Sequence, residues 1–190
     1  MTEEKPLLYF KTQDDWYTWL EDNHQNHSGV YLILYKLETN VPTLRWEEAV
    51  KVALCFGWID STVKRLDHQK RRQYFCPRNP KSAWSALNKS YIDELEKDGL
   101  IHQSGSNLIE EAKQNGSWNA LDDVENLVIP PELQAAFSKQ PKAFSNFSNF
   151  PPSSQKSYLY WLFLAKRETT RQKRISSIIE YCLKNLKTRP

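Results

Sequence analysis

Glycine is scarce in this sequence, with only five among the 190 residues. Nucleotide-binding loops need glycines at fixed spacings, and neither G-x-G-x-x-G nor the P-loop motif occurs here. The G-x-S-x-G turn of the α/β hydrolases and the H-E-x-x-H zinc motif are missing as well. The sequence therefore argues against a glycine-rich phosphate cradle and names no catalytic residue, and we expect no cofactor and no metal site.

Two further scarcities concern cysteine and long apolar runs. The cysteines are odd in number, widely separated and without a C-x-x-C pair, which is typical of a reducing compartment: Cys55, Cys76 and Cys182. No stretch approaches the roughly 20 apolar residues that cross a bilayer. The acidic N-terminus MTEEKPLLYFKTQDDW has no apolar leader segment. We therefore expect a cytoplasmic protein that makes no membrane contact.

Large apolar side chains are abundant by contrast. Hydrophobic residues make up 39% of the chain and aromatic residues 13%, including seven tryptophans. Disordered chains combine low hydrophobicity with high net charge, and this chain has neither, since its net charge is only +3. The composition predicts a globular fold with a sizeable core.

The charges are arranged in blocks. Residues 61–90 hold eight Lys or Arg against one acid, and residues 151–190 hold nine against two, a balance of +7 in each block. Residues 91–133, between them, hold ten acids against two lysines, a balance of −8. Two basic blocks on either side of an acidic one are consistent with an anion-binding face. They are also consistent with blocks that neutralise one another in the fold or lie in solvent.

Runs of β-branched and aromatic residues, bounded by turn residues, indicate strands in the first half of the chain. Helical periodicity is found elsewhere, most clearly over residues 153–187, where it predicts one long helix. The pattern predicts an α+β fold with a small antiparallel sheet and helices packed on it. The predicted strands are residues 7–10, 30–36, 59–66 and 71–76.

The same pattern predicts the domain organisation. The sheet with its basic hairpin occupies residues 1–90, and a helical region occupies residues 91–190. We expect the helical region to pack on the sheet, so that both form one compact unit.

The two strands of the predicted hairpin lie in the stretch GWIDSTVKRLDHQKRRQYFCPR, residues 57–78. If His68 and Gln69 form its turn, Arg65 and Arg72 lie opposite each other on one face. Like charges in that position repel unless an anion or a carboxylate lies between them. The hairpin arginines therefore predict either a bound phosphate or carboxylate, or ion pairs with acids of the protein such as Asp60, Asp67 or Glu168.

Three stretches carry a family resemblance: CFGWID at 55–60, YFCPRNPKSAWSALN at 74–88 and YWLFLAKRETTRQKRI at 160–175. They resemble the bacteriocin-protection, YdeI or OmpD-associated family, and the likeness runs from about Leu8 to Leu183. The resemblance implies a fold similar to the YjbR/CyaY-like type in the N-terminal half. It also implies an association with stress and antimicrobial-peptide tolerance. One departure is Thr169, which replaces the family's usual acid before the Thr-Arg pair and puts an expected ion pair in doubt.

The resemblance also implies where a site would lie. With the hairpin arginines, the matched polar and aromatic residues predict an anion-binding groove in which Asp60 orients an arginine, Trp84 offers a stacking face, and Ser85 and Asn88 donate hydrogen bonds. The predicted ligand-binding residues are Asp60, Arg65, Arg72, Arg78, Ser82, Trp84, Ser85, Asn88, Trp118, Arg171 and Arg174.

Three functions are compatible with these features. The first is a non-enzymatic, tolerance-associated protein that binds a small anionic ligand in this groove. The second is a nucleic-acid-binding protein that uses the basic hairpin and the basic C-terminal helix. The third is an uncharacterised enzyme that acts on a small anionic substrate. The sequence leaves the oligomeric state open.

Overall fold

The computed structural model describes residues 5–189 and confirms the α+β fold. The chain divides into two compact units, the first ending at Asn119 and the second beginning at Ala120. The first unit contains the sheet, and the regular elements described in the second unit are all helices. Each unit has its own cluster of buried apolar side chains.

The sheet of the first unit has the strand order β1-β2-β4-β3. Its strands are β1 (Leu7–Leu8), β2 (Val30–Tyr35), β3 (Trp58–Arg65) and β4 (Lys70–Pro77). The sequence prediction of an antiparallel sheet is wrong at one edge, where β1 pairs with β2 in parallel. The helix α1 (Gln13–Asn23) connects these two strands, and a crossover of this kind returns the chain in its original direction.

The hairpin of β3 and β4 forms with a register one residue away from the predicted one. Arg65 pairs with Arg71 rather than with Arg72. The loop of residues 66–69 sets this register, because the Asp67 carboxylate accepts hydrogen bonds from the backbone N–H groups of Gln69 (2.7 Å) and Lys70 (3.0 Å). A shift of one residue moves a side chain to the opposite face of a sheet. Arg72 therefore lies on the other face from Arg65 and Arg71.

One face of the sheet is covered by helices and forms the core of the first unit. This inner face carries Val30, Leu32 and Phe75, which pack with Trp16 of α1 and with the helix α2 (Trp46–Cys55). The helices α3 (Ala86–Lys97) and α4 (Gln103–Asn115) contribute to the same cluster through Tyr91, Ile92, Ile109 and Ala112. The boundary predicted at residue 90 falls inside α3, and the first unit continues to Asn119.

The second unit consists of short helices that begin at prolines or charged residues. They are α5 (Asp122–Glu125), α6 (Pro131–Ser138), α7 (Pro141–Ser148), α8 (Pro152–Phe163) and α9 (Glu168–Leu183). Proline suits the first helical position because its fixed φ is helical and its missing N–H would be unpaired there. The predicted single helix over 153–187 is wrong, since the chain breaks between α8 and α9. Leu162 of α8 and Ile178 of α9 are buried in the same cluster, which two helices folded back on each other achieve and one straight helix does not.

No helix among residues 5–189 is long and apolar enough to cross a membrane. The same residues contain no group of three or more His, Cys, Asp or Glu side chains arranged to hold a metal ion.

A close approach of α2 and α4 generates the first prediction. Gly105 lies inside α4, and a Cβ atom at this position would lie 2.3 Å from the backbone oxygen of Cys55. Gly→Ala inside a helix normally stabilises by about 1 kcal/mol. We expect Gly105→Ala to destabilise the protein by about 1–3 kcal/mol in urea unfolding, because the two backbones must separate.

The matched control is Gln114→Ala, an exposed position of the same helix, where we expect a change within about 0.5 kcal/mol. Unchanged or increased stability of Gly105→Ala would contradict the close approach of the two helices.

Candidate anion-binding site

A pocket of about 610 Å³ lies at the end of the sheet where β3 and β4 meet their loop. We call it the hairpin pocket. At this end of the sheet the residues of the inner face become exposed. Phe75 and Gln73 of β4 are buried, whereas Arg71, nearer the loop, is exposed. The pocket is lined by Leu34, Tyr35, Lys36, Leu37, Glu38, Leu44, Arg45, Trp46, Val63, Arg65, Asp67, Lys70 and Arg71.

The two carboxylates of the hairpin pocket are already engaged. Glu38 lies 3.2 Å from the Lys36 ammonium, and the hydrogen bond from this lysine lowers the pKa of Glu38. Asp67 lies 3.8 Å from the Lys70 ammonium. The backbone N–H groups of Gln69 and then of Lys70 lower the pKa of Asp67. Both acids are therefore anionic at neutral pH, and each faces a lysine.

Three arginines of the pocket have no such partner. Among residues 5–189, no carboxylate lies within ion-pair distance of Arg45, Arg65 or Arg71. The Nε of Arg65 donates to the backbone oxygen of Asp67 at 2.8 Å, which leaves the rest of its guanidinium to the pocket. Because Arg65 and Arg71 are paired across the strands, their charges lie next to each other on one face. The pocket therefore concentrates positive charge that the protein does not neutralise.

Hydrogen bonds to Asp60 connect the pocket residue Trp46 with the core residue Gln73. The Asp60 carboxylate accepts from the indole N–H of Trp46 at 2.8 Å and from the amide of Gln73 at 2.9 Å. The predicted role of Asp60, the orientation of Arg65 or Arg78, is therefore wrong, since its oxygen serves an indole and an amide. A Gln73 that is only 4% exposed needs such a partner, because burying an unpaired amide is costly.

The family-matched residues that follow β4 form a separate, buried cluster around Arg78. The guanidinium lies 4.0 Å from the centre of the Trp84 ring and donates to the backbone oxygen of Ala83 at 2.6 Å and more weakly to that of Ser82 at 3.4 Å. Arg78 is 7% exposed, and burial lowers its pKa to about 10, so that it remains charged at neutral pH. Its Nε has no hydrogen-bond partner among the described residues. An aromatic face and two carbonyls thus hold a buried cation, and no carboxylate of residues 5–189 lies within ion-pair distance of it.

The neighbours of Arg78 have structural contacts of their own. Trp84 is 1% exposed and packs against Trp118 at 5.0 Å between ring centres, so it offers no free face to a ligand. The Ser85 hydroxyl accepts from the backbone N–H of Asn88 at 3.2 Å and caps the start of α3. These contacts explain why such residue types follow one another in P-R…S-x-W-S-x-x-N.

The two arginines predicted from the C-terminal motif stabilise the second unit. Arg171 forms an ion pair with Glu132 of α6 and donates to the backbone oxygen of Leu162 at 3.4 Å. Arg174 donates to the backbone oxygen of Trp161, and its guanidinium lies 5.1 Å from the centre of that ring. Both accepting carbonyls belong to the last turn of α8, where backbone oxygens lack helical partners and cations are favoured. The acid that Arg171 pairs with is therefore Glu132 of another helix, and not a neighbour in its own motif.

The structure thus divides the predicted site residues into groups. Arg65 lines the hairpin pocket, Asp60 lies at its border with the core, and Arg72 lies on the opposite face of the sheet. The buried cluster contains Arg78, Ser82, Trp84, Ser85, Asn88 and Trp118, and the second unit contains Arg171 and Arg174. Their role in binding a ligand stays a prediction.

The sequence missed several residues of the hairpin pocket. Arg71 was missed because the register was predicted one residue off, although the Asp67 side chain is a known signal for such a loop. Arg45 and Trp46 were not among the predicted site residues. No sequence signal showed that they would lie beside the hairpin, because that contact depends on tertiary packing.

The buried arginine generates a prediction about stability. In Arg78→Lys, the ammonium cannot stack on the ring and donate to both carbonyls as the planar guanidinium does. We expect a loss of about 1–3 kcal/mol in urea unfolding, because a buried charge loses its contacts. Lys81→Arg, at an exposed position of the same loop, is the control and should change stability by less than about 0.5 kcal/mol. Equal stability of Arg78→Lys and the natural protein would disprove the role assigned to the guanidinium.

The Arg171–Glu132 pair generates a prediction about pH. Burial raises the pKa of Glu132, but the hydrogen bonds from its own backbone N–H and from Arg171 outweigh burial, so the pKa in the fold is lowered. A lowered pKa contributes stability above the unfolded-state pKa, and this contribution is lost as the pH falls through the folded-state pKa. Arg171→Met should therefore cost about 2 kcal/mol at about pH 7, and clearly less at about pH 3.

Urea unfolding at both pH values measures this difference, with exposed Arg167→Met, one turn earlier, as the control. A cost that is the same at both pH values would show that the carboxylate of Glu132 does not contribute to the effect.

Comparison with known families finds one match in each unit. A family model described as a domain of unknown function, DUF8412, matches residues 8–108, and one described as bacteriocin-protection, YdeI or OmpD-associated matches residues 126–185. The second match includes the C-terminal motif at 160–175, whereas the motifs at 55–60 and 74–88 fall within the first. No curated protein and no solved structure matches the chain. The chain therefore belongs to the family of this domain of unknown function, and its residues 126–185 are similar to the bacteriocin-protection, YdeI or OmpD-associated family.

Proposed function

We propose that the first unit binds a small multivalent anion in the hairpin pocket, and that this binding is the protein's function in antimicrobial tolerance. The observation that carries the proposal is the set of three pocket arginines, Arg45, Arg65 and Arg71, that no carboxylate of the described residues neutralises. A bound anion would supply the missing negative charge.

The strand pairing supports an anion between Arg65 and Arg71. Two like charges directly opposite in an antiparallel pair are unfavourable, and folding must overcome their repulsion. A phosphate or carboxylate reverses the sign of this contribution, because each guanidinium can donate two parallel hydrogen bonds to it. The electrostatic free energy of the pocket is therefore more favourable with a bound anion than without one.

The size and walls of the pocket support an organic anion. A volume of about 610 Å³ lies within the range of small-molecule sites, which is about 300–1,000 Å³. Leu44 and Trp46 provide apolar surface in the pocket lining, and Trp46 is held in place by its hydrogen bond to Asp60. The proposed ligand carries two or more phosphate or carboxylate groups on a small body that packs against this apolar surface.

We propose binding without catalysis because both carboxylates of the pocket are already engaged by cations or backbone donors. A general base must be free to accept a proton from the substrate. Glu38 and Asp67 instead face lysines and, in the case of Asp67, two backbone donors, so that neither is placed as a base.

An indirect role in tolerance follows from charge. The family's description names bacteriocin protection. A cationic pocket repels cationic peptides, so direct capture of such a peptide would be unfavourable. We propose that the protein acts in the cytoplasm through the level or use of its anionic ligand.

Thermal unfolding of the full chain tests the proposal. The probes are inorganic phosphate, citrate and ATP, each compared with chloride at equal ionic strength. We expect at least one multivalent probe to raise the Tm by about 5 °C near saturation, because a ligand that binds only the folded state stabilises it. Arg71→Gln and Arg65→Gln should each remove most of this shift.

The matched control is Arg167→Gln, which removes one arginine charge from an exposed position of the second unit and should keep the full shift. The proposal fails if no probe exceeds the chloride effect, or if Arg167→Gln lowers the shift as much as Arg71→Gln does.

A further inference from the structure

The face of the sheet opposite the core has an unusual composition. We call this the outer face. The residues paired on it include three tyrosines and three cations, and none of its paired residues is an aspartate or a glutamate. The aromatic and basic members are Tyr31, Tyr35, Lys64, Lys70, Arg72 and Tyr74.

The outer face is open to a partner. Every one of these six residues is half-buried or exposed, whereas the inner-face residues of β2 are all buried. The aromatic rings are held side by side: the Tyr31 and Tyr74 ring centres are 4.9 Å apart. Neighbouring strands are about 4.8 Å apart, so paired residues present adjacent rings on one surface. The face therefore has an ordered aromatic centre.

Cations lie directly over these rings. The Arg72 guanidinium is 4.2 Å from the centre of Tyr31, and the Lys70 ammonium is 5.4 Å from the centre of Tyr35. The Nε of Arg72 is buried and has no hydrogen-bond partner among the described residues. Arg72 also has no carboxylate within ion-pair distance in residues 5–189. The outer face thus combines aromatic rings with cations, of which Lys70 lies near Asp67 and Arg72 has a donor without a partner among the described residues.

We propose that the outer face binds single-stranded nucleic acid. Unpaired bases stack on exposed aromatic rings, and the backbone phosphates contact lysines and arginines beside them. Bases stack on Tyr31, Tyr35 and Tyr74, and phosphates contact Lys64, Lys70 and Arg72. The paired residues of this face include no aspartate or glutamate, so phosphates beside them meet no carboxylate repulsion from the strands.

The strand geometry favours a single strand over a duplex. A duplex hides its base faces and offers its grooves to a helix or a ribbon that enters them. The outer face is a broad sheet surface whose rings lie along the strands, and only unstacked bases can use such rings. The outer face and the hairpin pocket share Tyr35 and Lys70 at the end of the sheet. Consecutive residues Arg71 and Arg72 lie on opposite faces of β4, so that Arg71 lines the pocket and Arg72 belongs to the outer face alone. The proposal does not depend on the proposed function.

Fluorescence anisotropy with labelled oligothymidylate of about 20 nucleotides tests the proposal, with a duplex of equal length as the comparison. The full chain should bind the single strand at about 50 mM salt, and more weakly at about 200 mM. Tyr31→Leu should weaken binding about tenfold, whereas Tyr31→Phe keeps the ring and should stay within about twofold. Circular dichroism melting confirms that the variants are folded.

Arg71 and Arg72 provide a matched pair, because Arg71→Gln and Arg72→Gln remove the same charge from neighbouring positions of one strand. We expect Arg72→Gln to weaken binding several-fold more than Arg71→Gln. Arg71 lines the hairpin pocket and does not lie on the outer face, so a loss of the anion-dependent Tm shift in Arg71→Gln with oligonucleotide binding retained distinguishes the two activities.

Three results would overturn the proposal. One is the absence of binding at low salt. Another is equal weakening by the two glutamine variants with no effect of Tyr31→Leu, which indicates charge alone. The last is a concentration-dependent dimer that Tyr31→Leu dissociates, which assigns the outer face to a second copy of the chain.

Discussion

The Asp67 carboxylate determines which charges each face of the sheet presents. It accepts two backbone N–H groups in the loop of residues 66–69 and so sets the pairing of β3 with β4. With this register, Arg65 and Arg71 face the hairpin pocket and Arg72 faces outward. A register one residue longer or shorter would move Arg65 to the outer face, because the pairing of β4 with β2 and the burial of Gln73 and Phe75 keep Arg71 and Arg72 in place. The pairs Arg65–Arg71 and Lys64–Arg72 are thus two results of one loop conformation.

The sequence could predict the elements that depend on local pattern. Runs of β-branched and aromatic residues located the strands of the hairpin and the central strand β2, and the fold class was confirmed. Pro131 begins α6, as the fixed φ of proline favours. These features depend on neighbours within a few residues, which a single sequence shows.

Features set by tertiary packing could not be predicted in this way. The break between α8 and α9 arises because both helices bury their apolar stripes in one cluster, and the sequence shows the stripes without their common partner. The hairpin pocket joins residues from the segment before α2 to the loop of the hairpin, about twenty residues along the chain. The parallel pairing of β1 with β2 could not be predicted either, because it depends on how α1 crosses between the two strands.

The arginines of this protein fall into two groups according to their partners. Arg78, Arg171 and Arg174 are held by aromatic rings, carbonyl oxygens or an acid of the protein, and they stabilise the fold. Arg45, Arg65, Arg71 and Arg72 have no acid partner among residues 5–189 and remain available to a ligand. The motif match pointed to the first group, whereas the partners of each guanidinium point to the second. A motif of charged residues is therefore assigned to stability or to binding only after its partners are known.

The contacts of Arg78 have a consequence for local unfolding. Residues 78–85 form no strand or helix, yet their carbonyls and one tryptophan are the partners of a buried cation. Opening this segment alone would expose Trp84 and leave the guanidinium in the core without its acceptors. Such a segment does not fray by itself, because the free energy of its opening includes that of the surrounding core. An irregular loop thereby becomes part of the cooperative unit formed by the sheet and α3.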